Sequence, residues 1–114
     1  PLVVHPGQTI SLTLYLQARA TMDTAYTIFV HLVDGDDRIW GQRDIPAGSA
    51  VYPTNLWWPG EVVSNTLTVS VRADVSAPRL TAVMGLYDLI TSARLPIIAA
   101  QPSNRISLFS LDIR

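Results

Sequence analysis

The fold is decided by a stretch in which apolar and polar side chains alternate without interruption, TISLTLYLQ at residues 9–17. Leucine or isoleucine occupies every second position from 10 to 16, and hydroxyl-bearing side chains stand between them. Because successive side chains of an extended chain point to opposite faces, this period of two indicates a strand with one buried face. The turn pair Pro6-Gly7 precedes it, and residues 2–4 before that turn are expected to form a short edge strand.

Similar patterns recur along the rest of the chain. The further predicted strands are residues 26–33, 38–44, 62–71, 79–87 and 106–113. Prolines and β-branched residues interrupt every window long enough for a helix. About seven short strands separated by turns predict an all-β domain, a sandwich of two antiparallel sheets. An immunoglobulin-like arrangement is the first expectation and a jelly roll the alternative.

Residues 34–37, Asp-Gly-Asp-Asp, form a turn signal that is expected to join two of these strands as a hairpin. The simplest register pairs Val33 with Arg38. It then places His31 opposite Trp40, and Phe29 opposite Gln42. In that register Phe29, His31 and Trp40 share one face, and the other face, predicted to be the core, holds Ile28, Val30, Leu32 and Ile39.

The segment from 45 to 60 contains three prolines and two glycines, which predicts a long loop. This loop carries Tyr52, Trp57 and Trp58. Adjacent residues of an extended backbone point opposite ways, so one tryptophan is expected in the core and the other in solvent. We expect Trp57 to plug the sandwich and Trp58 to be exposed. Large aromatic side chains also commonly complete a core, so the alternative is that all of them do so.

Composition excludes several chemistries. The eight basic residues are all arginines, scattered from Arg19 to Arg114, and the formal net charge is −1. This distribution offers no basic stripe for nucleic acid. Lysine and cysteine are absent, which removes Schiff-base, thiol-nucleophile and disulfide chemistry. No apolar run approaches the roughly 20 residues that cross a bilayer, so we expect no direct membrane insertion by this segment.

Candidate catalytic and metal-binding groups are few. The chain has two histidines, His5 and His31, and no glycine-flanked nucleophile elbow, so no catalytic residue is assigned. His31 lies within a predicted strand, where a packed or hydrogen-bonded role is expected, with Gln42 or Asp44 as the partner. If His31 serves a site, Asp44 is the first candidate partner. The aspartates at 34, 36 and 37 lack the rest of a calcium loop and are explained by a turn. We expect no metal and no cofactor.

The order of these landmarks resembles that of a known domain type. The matching residues are Phe29–Leu32, Gln42, Asp44, Pro53-Thr54, Trp57, Pro59–Glu61 and Gly85–Asp88. They are similar to a β-sandwich domain near the C-terminal end of bacterial membrane proteins of the dolichyl-phosphate-mannose mannosyltransferase-like type. The resemblance implies an extracytoplasmic domain of uncharacterised activity. Asn65 stands where that pattern favours aspartate, which argues against a carboxylate-dependent site there.

Three functional hypotheses follow. The first is a non-catalytic accessory domain, tethered to the membrane by a longer parent protein of which residues 1–114 are one excised sandwich domain. Its partners would be the other domains of that parent, for which we expect a link to glycan or lipid-linked sugar chemistry. The second is a carbohydrate-binding module whose ligand residues are Trp58, Trp40, Tyr52, Asn55 and Gln42. The third is interaction with another protein through an exposed sheet edge or the face bearing Trp40.

Overall fold

The structure is a computed structural model and describes residues 2–98 and 104–114 of the chain. These residues form seven strands and one turn of 3-10 helix. The strands are β1 (Leu2–Val4), β2 (Thr9–Gln17), β3 (Tyr26–Val33), β4 (Ile39–Pro46), β5 (Val62–Ser70), β6 (Arg79–Asp88) and β7 (Ile106–Ile113). The 3-10 turn, Thr54–Leu56, lies in the loop between β4 and β5. The alternation in the sequence therefore identified each described strand, with shifts of one or two residues at some ends.

The strands form two sheets that pack as a sandwich. The larger sheet has the order β1-β7-β6-β3-β4, and the smaller one pairs β2 with β5. Neighbours are antiparallel except β1 and β7, which run parallel. The order β7-β6-β3-β4 corresponds to the G-F-C-C′ order of an immunoglobulin variable-type sheet, and β2-β5 corresponds to B-E. The all-β sandwich prediction is confirmed.

Alternating side chains from both sheets meet in one apolar core. On β5 and β6 the inward positions are those that the period-two pattern predicts. In β7 the phase is settled by Leu108, which packs against the core, whereas Phe109 is 36% exposed. The most deeply buried members of the core are Val4, Ile28, Val30, Leu32, Ala47, Leu80, Ala82 and Leu111.

The register predicted for the β3–β4 hairpin is wrong. The turn is closed by the Asp34 N–H, which donates to the Arg38 carbonyl at 3.0 Å, so the first strand pair is Val33 with Ile39. The register then shifts again between Leu32 and Val33, and His31 pairs with Gln42. A β-bulge inserts one unpaired residue into a strand and re-aims the side chains beside it. The two shifts together move the partner of His31 by two positions.

The one-residue shift at the turn also exchanges the two hydrophobic residues at the start of β4. Trp40, expected on the outer face, is 4% exposed and belongs to the core. Ile39, expected in the core, is 40% exposed. The indole Nε1 of Trp40 donates to Asp34 Oδ2 at 2.9 Å, so the polar end of the buried ring is satisfied by the turn itself. Both face assignments for this strand are therefore corrected.

The two sheets also approach each other where β4 passes the end of β5. The Arg72 N–H donates to the Trp40 carbonyl at 2.8 Å. Gly41 is buried beside Leu32 and the Ser70 carbonyl, and a Cβ at this position would collide with that carbonyl. A glycine is therefore required for the close backbone approach that curls the larger sheet toward the smaller one.

Candidate functional site

Residues 47–61, here called the tryptophan loop, are held against the sandwich by buried polar contacts. Trp57 is 4% exposed, and its Nε1 donates to the Tyr52 carbonyl at 3.0 Å. Thr54 is 1% exposed; its hydroxyl donates to the Thr24 carbonyl at 2.5 Å and accepts the Tyr26 N–H at 2.9 Å. Buried donors and acceptors that are all paired stabilise a single loop conformation. Trp57 therefore fills the interior as predicted.

Asn65 on β5 fixes the other end of the tryptophan loop. Its side chain is buried, its Oδ1 accepts the Gly48 N–H at 2.6 Å, and its Nδ2 donates to the carbonyls of Leu14 and Val63. Gly48 has a φ of +81°, a conformation that glycine adopts without strain. The amide thus acts as both donor and acceptor, which a carboxylate cannot do. This structural role accounts for an amide side chain at position 65.

Glu61 connects two parts of the tryptophan loop through hydrogen bonds to Tyr52 and Trp58. One carboxylate oxygen, Oε1, accepts the Tyr52 hydroxyl at 2.6 Å and the Trp58 N–H at 3.0 Å. The hydrogen bond from Tyr52 lowers the pKa of Glu61, and the same bond raises the pKa of Tyr52. These contacts fix the backbone at Trp58, whose indole is 75% exposed. The loop therefore presents a large apolar side chain on a fixed support.

The structure separates the five residues that sequence analysis grouped as a ligand site. Trp58, Tyr52 and Asn55 lie in the tryptophan loop, with Trp58 and Asn55 exposed and Tyr52 partly buried. Gln42 is exposed on β4, where it pairs with His31. Trp40 is in the core and cannot serve as a stacking platform, which also removes the proposed interaction face built on it. The expected register, with Val33 opposite Arg38, placed Trp40 on the outer face, and the observed pairing of Val33 with Ile39 places it inside.

A second cluster lies on the outer face of the larger sheet, on the side opposite the core. Neighbouring strands place His31 and Phe29 of β3 beside Asp44 of β4 and Tyr87 of β6. The Tyr87 hydroxyl donates to Asp44 Oδ2 at 2.6 Å, and the Phe29 and His31 ring centroids are 4.9 Å apart. The guanidinium of Arg94 lies 4.3 Å above the Phe29 ring centroid. We call these five residues the outer-face cluster; together with Ser92 they line a depression of about 220 Å³.

The surroundings of His31 favour the neutral form of its imidazole over the charged form. Burial lowers the pKa of His31, and this effect outweighs Asp44, whose charge acts in the opposite direction. The positive charges of Arg94 and Arg105 add to the lowering. The hydrogen bond to Asp44 raises the pKa of Tyr87. A neutral imidazole beside a carboxylate and a phenol offers donors and acceptors for binding.

Sequence analysis named only part of the outer-face cluster. It suggested Asp44 as the partner of His31, and the structure places both on the same face of the sheet. It did not connect Tyr87 or Arg94 with them. The alternating pattern contained the information needed to find these residues, because residues that pair across strands in the observed register share a face. The missing information was the register of β3 against β4 and β6.

Both carboxylate oxygens of Asp34 are hydrogen-bonded within the hairpin, and the Asp37 carboxylate accepts a hydrogen bond from Arg105 at 2.6 Å. Asp34 Oδ1 accepts the N–H groups of Asp36 and Arg38 at 2.9 and 3.0 Å, and its Oδ2 accepts the Trp40 indole. These bonds lower the pKa of Asp34, with the Trp40 contribution largest. Within residues 2–98 and 104–114, no three side chains of histidine, cysteine, aspartate or glutamate converge in a way that could hold a metal ion.

Comparisons with known proteins do not place this chain in a family. Searches of protein-family models, of curated proteins and of solved structures each found no match to this chain. In the part of the chain that the structure describes, no helix has the length and apolar character needed to cross a membrane.

Proposed function

We propose that this chain is a non-catalytic accessory domain of a larger membrane-anchored protein, positioned outside the cytoplasm, where it docks onto another domain of its parent. The tryptophan loop is the docking surface in this proposal. The observation that carries it is Trp58, a 75% exposed indole on a backbone fixed by Glu61 and by the buried Trp57 next to it. The landmark order that resembles mannosyltransferase-like membrane proteins supports the location and a link to glycan or lipid-linked sugar chemistry.

The surroundings of Trp58 support docking. Further apolar side chains of the same region are exposed: Val51 (86%), Leu56 (53%) and Val62 (57%). Tryptophan is enriched at the buried centres of protein interfaces. A loop whose conformation is already fixed loses little conformational entropy on binding. The domain thus provides a rigid scaffold for an apolar contact.

The test is made in the intact parent protein. Replacing Trp58 and Leu56 together by serine is expected to loosen the domain from its neighbour, measured as faster limited proteolysis between the two. Tyr15→Ser is the matched control, because Tyr15 is 72% exposed on β2 and lies outside the tryptophan loop. If both variants and the unsubstituted protein were cleaved at the same rate, the tryptophan loop would be rejected as the docking surface. Substrate turnover by the isolated domain would reject the non-catalytic role.

A second candidate function is carbohydrate binding at Trp58. A flat, exposed indole can stack on the apolar face of a sugar ring, and exposed Asn55 in the same loop can hydrogen-bond to hydroxyls. Titration with neutral oligosaccharides is then expected to change tryptophan fluorescence in a saturable way, and Trp58→Ala should abolish the change. The buried Trp40 and Trp57 remain as internal references. No response across diverse oligosaccharides would exclude this function.

A further inference from the structure

Strand β2 has one unpaired edge. It pairs with β5 along all nine of its residues, and the smaller sheet contains no third strand among the described residues. In an antiparallel pair, part of the N–H and C=O groups of each strand points away from the partner. These groups form a row at the free edge that another extended strand can bond.

The two edges of the larger sheet carry features that discourage such pairing. At one edge of the larger sheet β1 has only three residues, and at the other edge β4 contains Arg43, Asp44, Pro46 and a bulge. The end of β5 is held near β4 by the bond from Arg72 to the Trp40 carbonyl. By contrast β2 has no charged residue, no proline and no register shift. Its free edge therefore lacks the usual protection against strand addition.

The core is also incompletely covered along β2. Leu12, Leu14 and Leu16 pack on the core but remain only partly buried. On the neighbouring strand, Leu67 and Val69 of the same inner face are 4% and 2% exposed. The difference follows from position, because β5 has a neighbour on both sides for part of its length and β2 does not. A further strand beside β2 would bury these three leucines.

We propose that a second copy of this chain occupies this edge, with the two β2 strands antiparallel about a two-fold axis at Thr13. Thr13 is the central residue of β2, so a full-length pairing places it opposite itself. Leu12 then faces Leu14 of the second copy, and Ile10 faces Leu16. Apolar side chains meet on the inner face and hydroxyl groups on the outer face, so the edge is self-complementary, as a two-fold interface requires. The two small sheets become one four-stranded sheet.

The lack of charge selects a second copy over a charged partner strand. Two uncharged β2 strands meet without the like-charge repulsion that a lysine at or near Thr13 would introduce. Edge pairing buries a small area, so the dimer is expected to be weak and concentration-dependent. This surface is separate from the tryptophan loop, and the proposal does not depend on the docking function.

The test is sedimentation analysis of the 114-residue chain at increasing concentration, with Thr13→Lys and Thr66→Lys compared. Thr66 pairs with Thr13 within the small sheet, and their hydroxyls lie 3.0 Å apart, so both variants lose the same contact and gain the same charge on the same exposed face. Thr13→Lys sets two ammonium groups opposite each other and is expected to weaken dimerisation about two- to fivefold. In Thr66→Lys the two ammonium groups of the dimer lie about 14 Å apart, three strand spacings. Because this distance exceeds the Debye length of about 8 Å, dimerisation is expected to be unchanged.

Each result decides the proposal. Concentration-dependent dimers that Thr13→Lys weakens and Thr66→Lys preserves support it, and hydrogen exchange should then show β2 amides becoming protected as concentration rises. A monomer at every concentration overturns it, and so does equal weakening by the two variants, which would place the contact elsewhere. Binding of an unrelated extended peptide at this edge without self-association also contradicts a second copy as the occupant.

Discussion

Gly85 shows how one residue sets the packing of the outer face. It lies opposite Phe29 on the neighbouring strand, and a Cβ at this position would come within 2.5 Å of the Phe29 ring and 2.9 Å of the Asn104 carbonyl oxygen. Sequence analysis singled out neither partner, but a glycine within a strand is typical of such a close approach. Gly85→Ala is expected to destabilise the domain by about 1–3 kcal/mol through overpacking, measured by denaturant unfolding.

The control for this substitution is Gly35→Ala in the hairpin turn. Nothing lies within 4 Å of a Cβ built at Gly35, so its stability should stay close to that of the wild type. If Gly85→Ala were as stable as Gly35→Ala, the Phe29 ring would have to move freely. That result would contradict the packed outer-face cluster described above.

The protonation of His31 gives a pH-dependent prediction. Burial lowers its pKa in the folded state below the ordinary value of 6.5, so the unfolded state binds the proton more readily. The stabilising effect of the neutral His31 imidazole is complete at pH values above the pKa of His31 in the unfolded state. It is lost as the pH falls from that value through the pKa of His31 in the folded state. The free energy of unfolding should therefore decrease as the pH falls below the ordinary histidine value of 6.5. His31→Gln should flatten this part of the profile, and an unchanged slope would contradict the assignment.

At the scale of the elements, Asn65 connects the tryptophan loop to both strands of the smaller sheet. Asn65→Leu keeps a side chain of similar size but removes the acceptor of the buried Gly48 N–H. The expected loss of stability is about 1–3 kcal/mol, measured by denaturant unfolding. Ser64→Ala is the control, because Ser64 is the exposed neighbour of Asn65 on the same strand. Equal stability of the two variants would show that the loop does not depend on this amide.

The elements also show what a sequence can predict. Strand positions followed from local alternation, because burying one face of a strand fixes the side-chain period. The β3–β4 register did not, since it depends on how Asp34 bonds within the turn, where Val33 pairs with Ile39, and on the bulge at Trp40 that follows. A one-residue slip moves every side chain to the other face, so a local error at the turn misplaced Trp40 and Ile39.

At the scale of the whole molecule, candidate sites were harder to predict than the fold. Trp57 and Trp58 were placed correctly because adjacent residues of an extended chain point apart. The outer-face cluster combines β3, β4, β6 and the segment after β6, which no local pattern brings together. Its residues become neighbours only through the strand order of the larger sheet.

The most direct measurement is photo-crosslinking in the intact parent protein with a reactive amino acid at position 58. We expect efficient crosslinks from position 58 to another domain of the parent, because Trp58 is exposed on a fixed loop. The same amino acid at position 15, exposed on β2, should give no such crosslink to another domain of the same molecule. Equal crosslinking from both positions, or none from position 58, would contradict docking through the tryptophan loop.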